Sequence, residues 1–107
     1  MNLTNDSEKL LCILYRSYLE KRKLGNSKRI SKSFGSSHDI HEELCPGWFF
    51  DDVDEACWEL AHQEFLDCLP ADGIAYHVNL SDSAILYMEN RFKNGILDIA
   101  NFLSNFI

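Results

Sequence analysis

The sequence predicts one mainly α-helical domain with a small β-hairpin. Apolar residues recur at helical spacing in several segments, and one later segment alternates with period two. Hydrophobic residues make up 46% of the chain and charged residues 25%, a balance typical of folded globular proteins and not of disordered ones. With 107 residues, a single domain over 1–107 with one modest core is expected.

The first helix is predicted over 7–24, after a flexible tail at 1–6. Asp6 or Ser7 is expected to cap its start, and Gly25 is expected to end it because glycine readily adopts the left-handed conformation. One broad apolar face is predicted to be buried, and it comprises Leu10, Leu11, Ile13, Leu14, Tyr15 and Tyr18.

Three shorter helices are predicted to follow. They cover 27–34, 38–44 and 51–64, and Ser36 or Ser37 is expected to cap the second of these. Pro46 and Gly47 predict a turn before the third, whose first residues are acidic, as the helix dipole favours. The predicted inner face of the third is Val53, Ala56, Cys57, Leu60 and Ala61.

A β-hairpin is predicted next, with strands at 65–69 and 74–80 and a turn at 70–73. The second strand alternates, which places one set of side chains on each face. The first set is Ile74, Tyr76, Val78 and Leu80, and the second is Ala75, His77 and Asn79.

The C-terminal region, 81–107, is predicted to be a helical dimerisation region capped by Ser81. An apolar stripe runs through it at spacings of three and four residues, and it predicts one helix over 82–106 of about 38 Å. A helix of that length would expose its far half, and a second copy of the chain is the simplest cover. A break at Gly95 would fold the last segment back and weaken the dimer prediction. The predicted dimerisation residues are Ile96, Ile99, Phe102, Leu103 and Phe106.

The order of elements, four helices followed by a hairpin and a helix, predicts a winged helix-turn-helix type with a long C-terminal helix. In that layout the helix over 51–64 holds the recognition position and the hairpin is the wing. Four segments carry a family resemblance: FGSSHDIHEEL at 34–44, FDDVDEACWEL at 50–60, FLDC at 65–68 and LSDSAILYMENRF at 80–92. With them, 27–92 resembles small uncharacterised winged-helix proteins of bacteria and their mobile elements, broadly like the YjcQ group. The resemblance implies this fold and a regulatory or DNA-binding role, with no catalytic residue.

Charge is divided sharply along the chain, whose formal net charge is -7. Residues 1–35 carry eight Lys and Arg against three acids, whereas 36–90 carry thirteen acids and no Lys or Arg. The predicted recognition helix is therefore acidic, which opposes contact with phosphates. Its predicted outer face is Asp52, Glu55, Glu59, His62 and Gln63.

Two binding functions follow from this division. The first is a regulator or adaptor that docks a protein partner on the acidic helix and its aromatic flank, a surface that suits a basic partner. Its candidate residues are Trp48, Phe49, Phe50, Asp52, Glu55 and Glu59. The second is a DNA-binding transcriptional regulator that grips the phosphate backbone through a basic segment. Its candidate residues are Lys21, Arg22, Lys23, Lys28, Arg29 and Lys32.

Other chemistry has less support in the sequence. His38, His41 and Cys45 form a weak candidate metal site, without the tight ligand pairs of structural zinc. Phosphate loops and hydrolase motifs are missing, so a non-enzyme without a cofactor is predicted. With no signal peptide or membrane span recognisable, and with its cysteines expected to be free thiols, the chain is expected to be cytoplasmic and to have no membrane partner.

Overall fold

A computed structural model describes residues 3–105 of the chain. This part of the chain is mainly helical and contains a small antiparallel sheet with the strand order β1-β3-β2. The elements in order are α1 (Asn5–Lys23), α2 (Lys28–Ser31), β1 (Ser33–Gly35), α3 (Ser37–Leu44), α4 (Phe50–His62), β2 (Leu66–Ala71), β3 (Ile74–Leu80), α5 (Asp82–Arg91) and α6 (Ile96–Ser104).

Helix α1 is the centre of the domain and packs against α4, α6, α2 and α5. Its predicted apolar face is buried, as helical spacing indicated. The helix begins at Asn5, inside the segment predicted to be a flexible tail, and the cap is Thr4 instead of Asp6 or Ser7. Thr4 takes this position because its hydroxyl accepts a hydrogen bond from the Ser7 N–H, which leaves Ser7 inside the first turn.

The helix predicted over 27–34 is wrong in its second half. Only α2 is helical there, and Ser33–Gly35 forms strand β1 along β3. The Leu80 N–H also donates to the Lys32 carbonyl at 2.9 Å. Pairing with a strand more than 40 residues away in sequence overrides the local preference here.

The middle of the chain follows the sequence-based expectations more closely. Helix α3 has the predicted Ser36 cap, and Asp39 completes a capping box with it. Residues 46 and 47 form a turn, and α4 buries Val53, Ala56, Cys57 and Leu60.

The β-hairpin is present, but its predicted alternation is wrong in β3. Ala75 is fully buried together with Val78 and Leu80, whereas Ile74 and Tyr76 are only half-buried. The cause is a bulge: the register against β2 shifts between Asp67 and Leu69, opposite His77, which has φ of +52°.

The single long C-terminal helix is also wrong, and the alternative of a break at Gly95 is confirmed, because the chain breaks after α5 and the last segment folds back. Gly95 has φ of +63° and lies against Leu19, so α6 runs back along α1. Ile99 and Leu103 are buried in the core of the same chain, and the Phe102 ring lies 5.5 Å from that of Phe92. Ile96 is half-buried, and Phe106 lies outside the described residues.

The stripe that predicted dimerisation is therefore largely used within the chain. A homodimer through it loses the projecting helix on which that prediction depended, and the oligomeric state stays a prediction. No helix within 3–105 combines the length and the apolar character that crossing a bilayer requires.

Candidate functional site

Helix α4 carries an acidic face that points to solvent, made up of Asp51, Asp52 and Glu55. None of the three forms a salt bridge to another described residue. Asp51 and Asp52 lie in the first turn of α4, where Phe49 provides no side-chain cap. Their negative charge there interacts favourably with the positive end of the helix dipole. The acidic face is thus uncompensated negative charge on a firmly packed helix.

Two other carboxylates of α4 form hydrogen bonds that hold the helix to neighbouring elements. Asp54 Oδ1 accepts hydrogen bonds from the Ser37 hydroxyl at 2.7 Å and the Ala75 N–H at 2.9 Å, which ties α4 to α3 and β3. Glu59 accepts from the Thr4 N–H and hydroxyl, both at 2.9 Å, at the start of α1. The hydrogen bond from the Thr4 N–H lowers the pKa of Glu59. Glu59, predicted to meet a partner, is therefore tied to its own domain.

A shallow cleft of about 280 Å³ separates the start of α1 from the acidic face. Every charged side chain that lines it is a carboxylate, and the other lining side chains are neutral. They are Thr4, Asp6, Ser7, Asp52, Glu55, Ala56 and Glu59. A cation or a basic side chain is the group that this cleft favours electrostatically.

The three aromatic residues before α4 have different environments. Trp48 is half-buried, with the Lys9 ammonium 5.7 Å from its ring centroid. Phe50 is half-buried beside the rings of His38 and His41. Phe49 is 80% exposed and lies at the N-cap of α4. Of the predicted aromatic docking group, Phe49 is the residue that the fold presents to solvent.

The predicted basic segment forms a second charged surface, which we call the basic end. It comprises Lys21, Arg22, Lys23, Lys28, Arg29 and Lys32, at the C-terminus of α1 and along α2. Lys28 and Lys32 both contact Asp82 Oδ1, at 3.3 and 3.5 Å. These lysines hold the pKa of Asp82 below its usual value, chiefly through a hydrogen bond from Lys28.

The remaining cations of the basic end differ in their engagement. Lys21 donates to the Ser33 carbonyl at 2.9 Å and lies 4.1 Å from the centroid of the Phe34 ring, and burial lowers its pKa. Lys23 and Arg29 are exposed and form no salt bridge with any residue in 3–105. The basic end therefore keeps a clear excess of positive charge.

The candidate metal ligands do not come together. Cys45 is buried, the His41 ring contacts the Trp48 carbonyl at 2.8 Å, and His38 lies 3.4 Å from Glu42. Across the described part of the chain, no group of three or more His, Cys, Asp or Glu side chains is arranged to hold a metal ion. The arrangement in 38–45 instead packs α3 against the residues that lead into α4.

The thiols are protonated at neutral pH. Burial raises the pKa of Cys12 to about 12 and that of Cys45 to about 11, and it raises the pKa values of Cys57 and Cys68 as well. A protonated thiol is a poor nucleophile, and the nearby carboxylate Asp54 raises the pKa of Cys57 and Cys68 further. These cysteines behave as small apolar residues, three of them buried in the core and Cys68 partly buried against it.

Sequence reasoning missed the apolar residues that flank the basic end. Leu24 is 83% exposed and Ile30 is 59% exposed. The signal was present, because Leu24 directly precedes Gly25 at the predicted end of α1 and Ile30 sits between basic residues. The structural roles of Asp54 and Glu59 had no local signal, since their partners lie far away in sequence.

Comparison with known proteins adds no further constraint: no family model, curated protein or solved structure matches this chain.

Proposed function

We propose that this chain is a non-catalytic winged-helix module that binds a basic protein partner through the acidic face of α4. Support for the fold type comes from strand β1, which gives the order two helices, strand, two helices and hairpin around a three-stranded sheet. In that order α4 occupies the recognition position and β2–β3 the wing. The free thiols fit a reducing compartment, which favours the cytoplasm.

The observation that carries the proposal is the composition of the exposed surface of α4. Asp51, Asp52 and Glu55 are exposed there, and the aromatic ring of Phe49 is exposed at the same end of the helix. Carboxylates at this position repel the phosphates of DNA, whose binding depends on cations that replace counterions. Negative charge beside one exposed aromatic anchor suits a basic protein surface.

Charge reversal on the acidic face tests the proposal. The variant Asp52→Lys with Glu55→Lys should lose the basic proteins that the wild-type chain captures from nuclease-treated extract of its host. A matched control, Asp67→Lys with Glu89→Lys, makes the same change in net charge at two exposed positions outside the acidic face and its cleft and should retain them. Equal capture by both variants would reject the acidic face as the binding site.

The second candidate function is DNA binding through the basic end, and the exposed Lys23 and Arg29 favour it. Titration of a labelled duplex at about 150 mM salt separates the two functions, because weak electrostatic binding is largely lost there. The proposed protein-binding module gives no saturable signal under these conditions. Tight binding that disappears in Lys23→Glu with Arg29→Glu would instead support the DNA-binding regulator.

A further inference from the structure

The acidic face and the basic end lie at opposite ends of α1. Thr4 and Asp6 line the cleft beside Asp52 and Glu55, whereas Arg22 and Lys23 lie in the last turn of the helix. The 16 steps of the helix from Asp6 to Arg22 correspond to about 24 Å along the helix axis. That distance is close to the shortest dimension of the domain, 25 Å. The two surfaces of one molecule therefore cannot meet each other.

The two surfaces are complementary in charge and similar in apolar content. The acidic face carries three exposed carboxylates beside Phe49, and the basic end carries exposed cations beside Leu24 and Ile30. Each surface thus offers charge of one sign around a large exposed apolar side chain. Such a pair matches the general pattern of an apolar contact within a charged rim.

We infer that a second copy of this chain is a partner of the acidic face, and that copies associate head to tail, with the acidic face of one on the basic end of the next. This inference rests on the proposed function, since it names an occupant for the same surface. Lys28 and Lys32 are paired with Asp82, so we assign the contact with the acidic face to the exposed Lys23 and Arg29. A head-to-tail pair leaves one acidic face and one basic end unused, so the assembly grows into a ring or a filament instead of stopping at a two-fold dimer.

Sedimentation of the full-length chain provides the first part of the test. At low salt the weight-average mass of the wild-type chain should rise at least twofold between about 10 μM and about 1 mM, a range suited to weak association. At about 0.5 M salt it should return to the 12.4 kDa of one chain, because exposed charges are then screened within a few ångströms. A wild-type chain that stays monomeric at low salt overturns the inference.

Two charge-reversed variants provide the second part. Variant A, Asp52→Lys with Glu55→Lys, keeps only the basic end, and variant B, Lys23→Glu with Arg29→Glu, keeps only the acidic face. Each should be monomeric alone, and an equimolar mixture should give a capped pair of twice the mass of one chain and nothing larger. The control Asp67→Lys with Glu89→Lys should associate like the wild-type chain.

The outcomes separate this inference from the proposed function. If the wild-type chain associates but A and B do not pair, another face carries the contact and the inference fails. If the wild-type chain is monomeric while variant A still loses captured basic proteins, head-to-tail association fails and the proposed function stands. If capture is insensitive to variant A while A and B pair as expected, the acidic face serves self-association and the wider proposal fails.

Discussion

Helix α4, which carries the acidic face, and the basic end are held to the rest of the domain by different kinds of contact. On α4, Asp54 and Glu59 accept hydrogen bonds from neutral donors on α3, β3 and the start of α1. At the basic end, Lys28 and Lys32 make ion pairs with Asp82, whose side chain is 73% exposed. The hydrogen bonds to Asp54 are partly buried and those to Glu59 are exposed, and a hydrogen bond with a buried donor costs more to lose than an exposed ion pair does. The comparison teaches that Asp54 fixes α4 to the domain more firmly than Asp82 fixes α2.

The largest effect that this comparison predicts follows from removal of Asp54. In Asp54→Ala the Ser37 hydroxyl and the N–H of the fully buried Ala75 lose their acceptor, so the free energy of unfolding should fall by about 1–3 kcal/mol. Urea denaturation followed by circular dichroism measures the change. Glu55→Ala, one position further along α4 and exposed, is the matched control and should cost less than about 0.5 kcal/mol. Equal costs for the two variants would remove the distinction between structural and free carboxylates on α4.

A smaller and pH-dependent effect is expected at Glu59. Glu59→Ala removes the acceptor of the Thr4 N–H and hydroxyl and should cost about 0.5–1.5 kcal/mol at pH 7. In the folded chain the Thr4 N–H holds the pKa of Glu59 below its ordinary value of 4.5. The stabilisation is therefore complete above about pH 4.5 and is lost as the pH falls through the lower folded-state pKa.

Urea denaturation of both chains at several pH values checks this dependence. The difference in unfolding free energy between wild type and Glu59→Ala should be constant near neutral pH and shrink below about pH 4. A difference that grows on acidification would mean that Glu59 is held in its protonated form and that the hydrogen bond from Thr4 is not what stabilises it.

Local sequence signals predicted buried helix faces and two of the helix caps, because the determinants of both are local. The buried face of α1, the Ser36 cap of α3 and the Ser81 cap of α5 each depend on residues within one or two turns. Strand β1 had no such signal, since three residues cannot show an alternating pattern and the strand exists only through its pairing with β3. The bulge at His77 was hidden for the same reason, because register is a property of two strands.

The C-terminal region shows how a correct pattern can lead to a wrong shape. Ile85, Met88, Ile99 and Leu103 are all buried, as the stripe indicated. Apolar periodicity reports which side of each turn faces the core, but it does not report the direction in which the chain continues. Gly95 allowed the reversal, and α1 supplied the surface on which α6 is buried. The predicted interface was therefore largely core.

The candidate site was predictable in sign but not in detail. The exclusive acidity of 36–90 and the cations of 1–35 are plain in the sequence, and both surfaces exist in the fold. Which carboxylates of α4 are free depends on Thr4 and Ala75, which lie 55 residues from Glu59 and 21 from Asp54. Contacts at such separation cannot be inferred from spacing along one helix.

The smallest effect on stability is expected at the basic end, where the loss of an exposed ion pair can be compared with the loss of the hydrogen bonds of α4. Asp82→Asn should lower the free energy of unfolding far less than Glu59→Ala does, because the Asp82 carboxylate is exposed and its lysine partners are at least partly solvated. The same substitution removes a negative charge from a surface that already attracts anions, so it should strengthen head-to-tail association at low salt. Urea midpoints and sedimentation of the one variant measure both effects. Loss of stability as large as that of Asp54→Ala, without tighter association, would mean that Asp82 anchors α2 to α5. The ion pairs of the basic end would then stabilise the domain as much as the hydrogen bonds of Asp54 do.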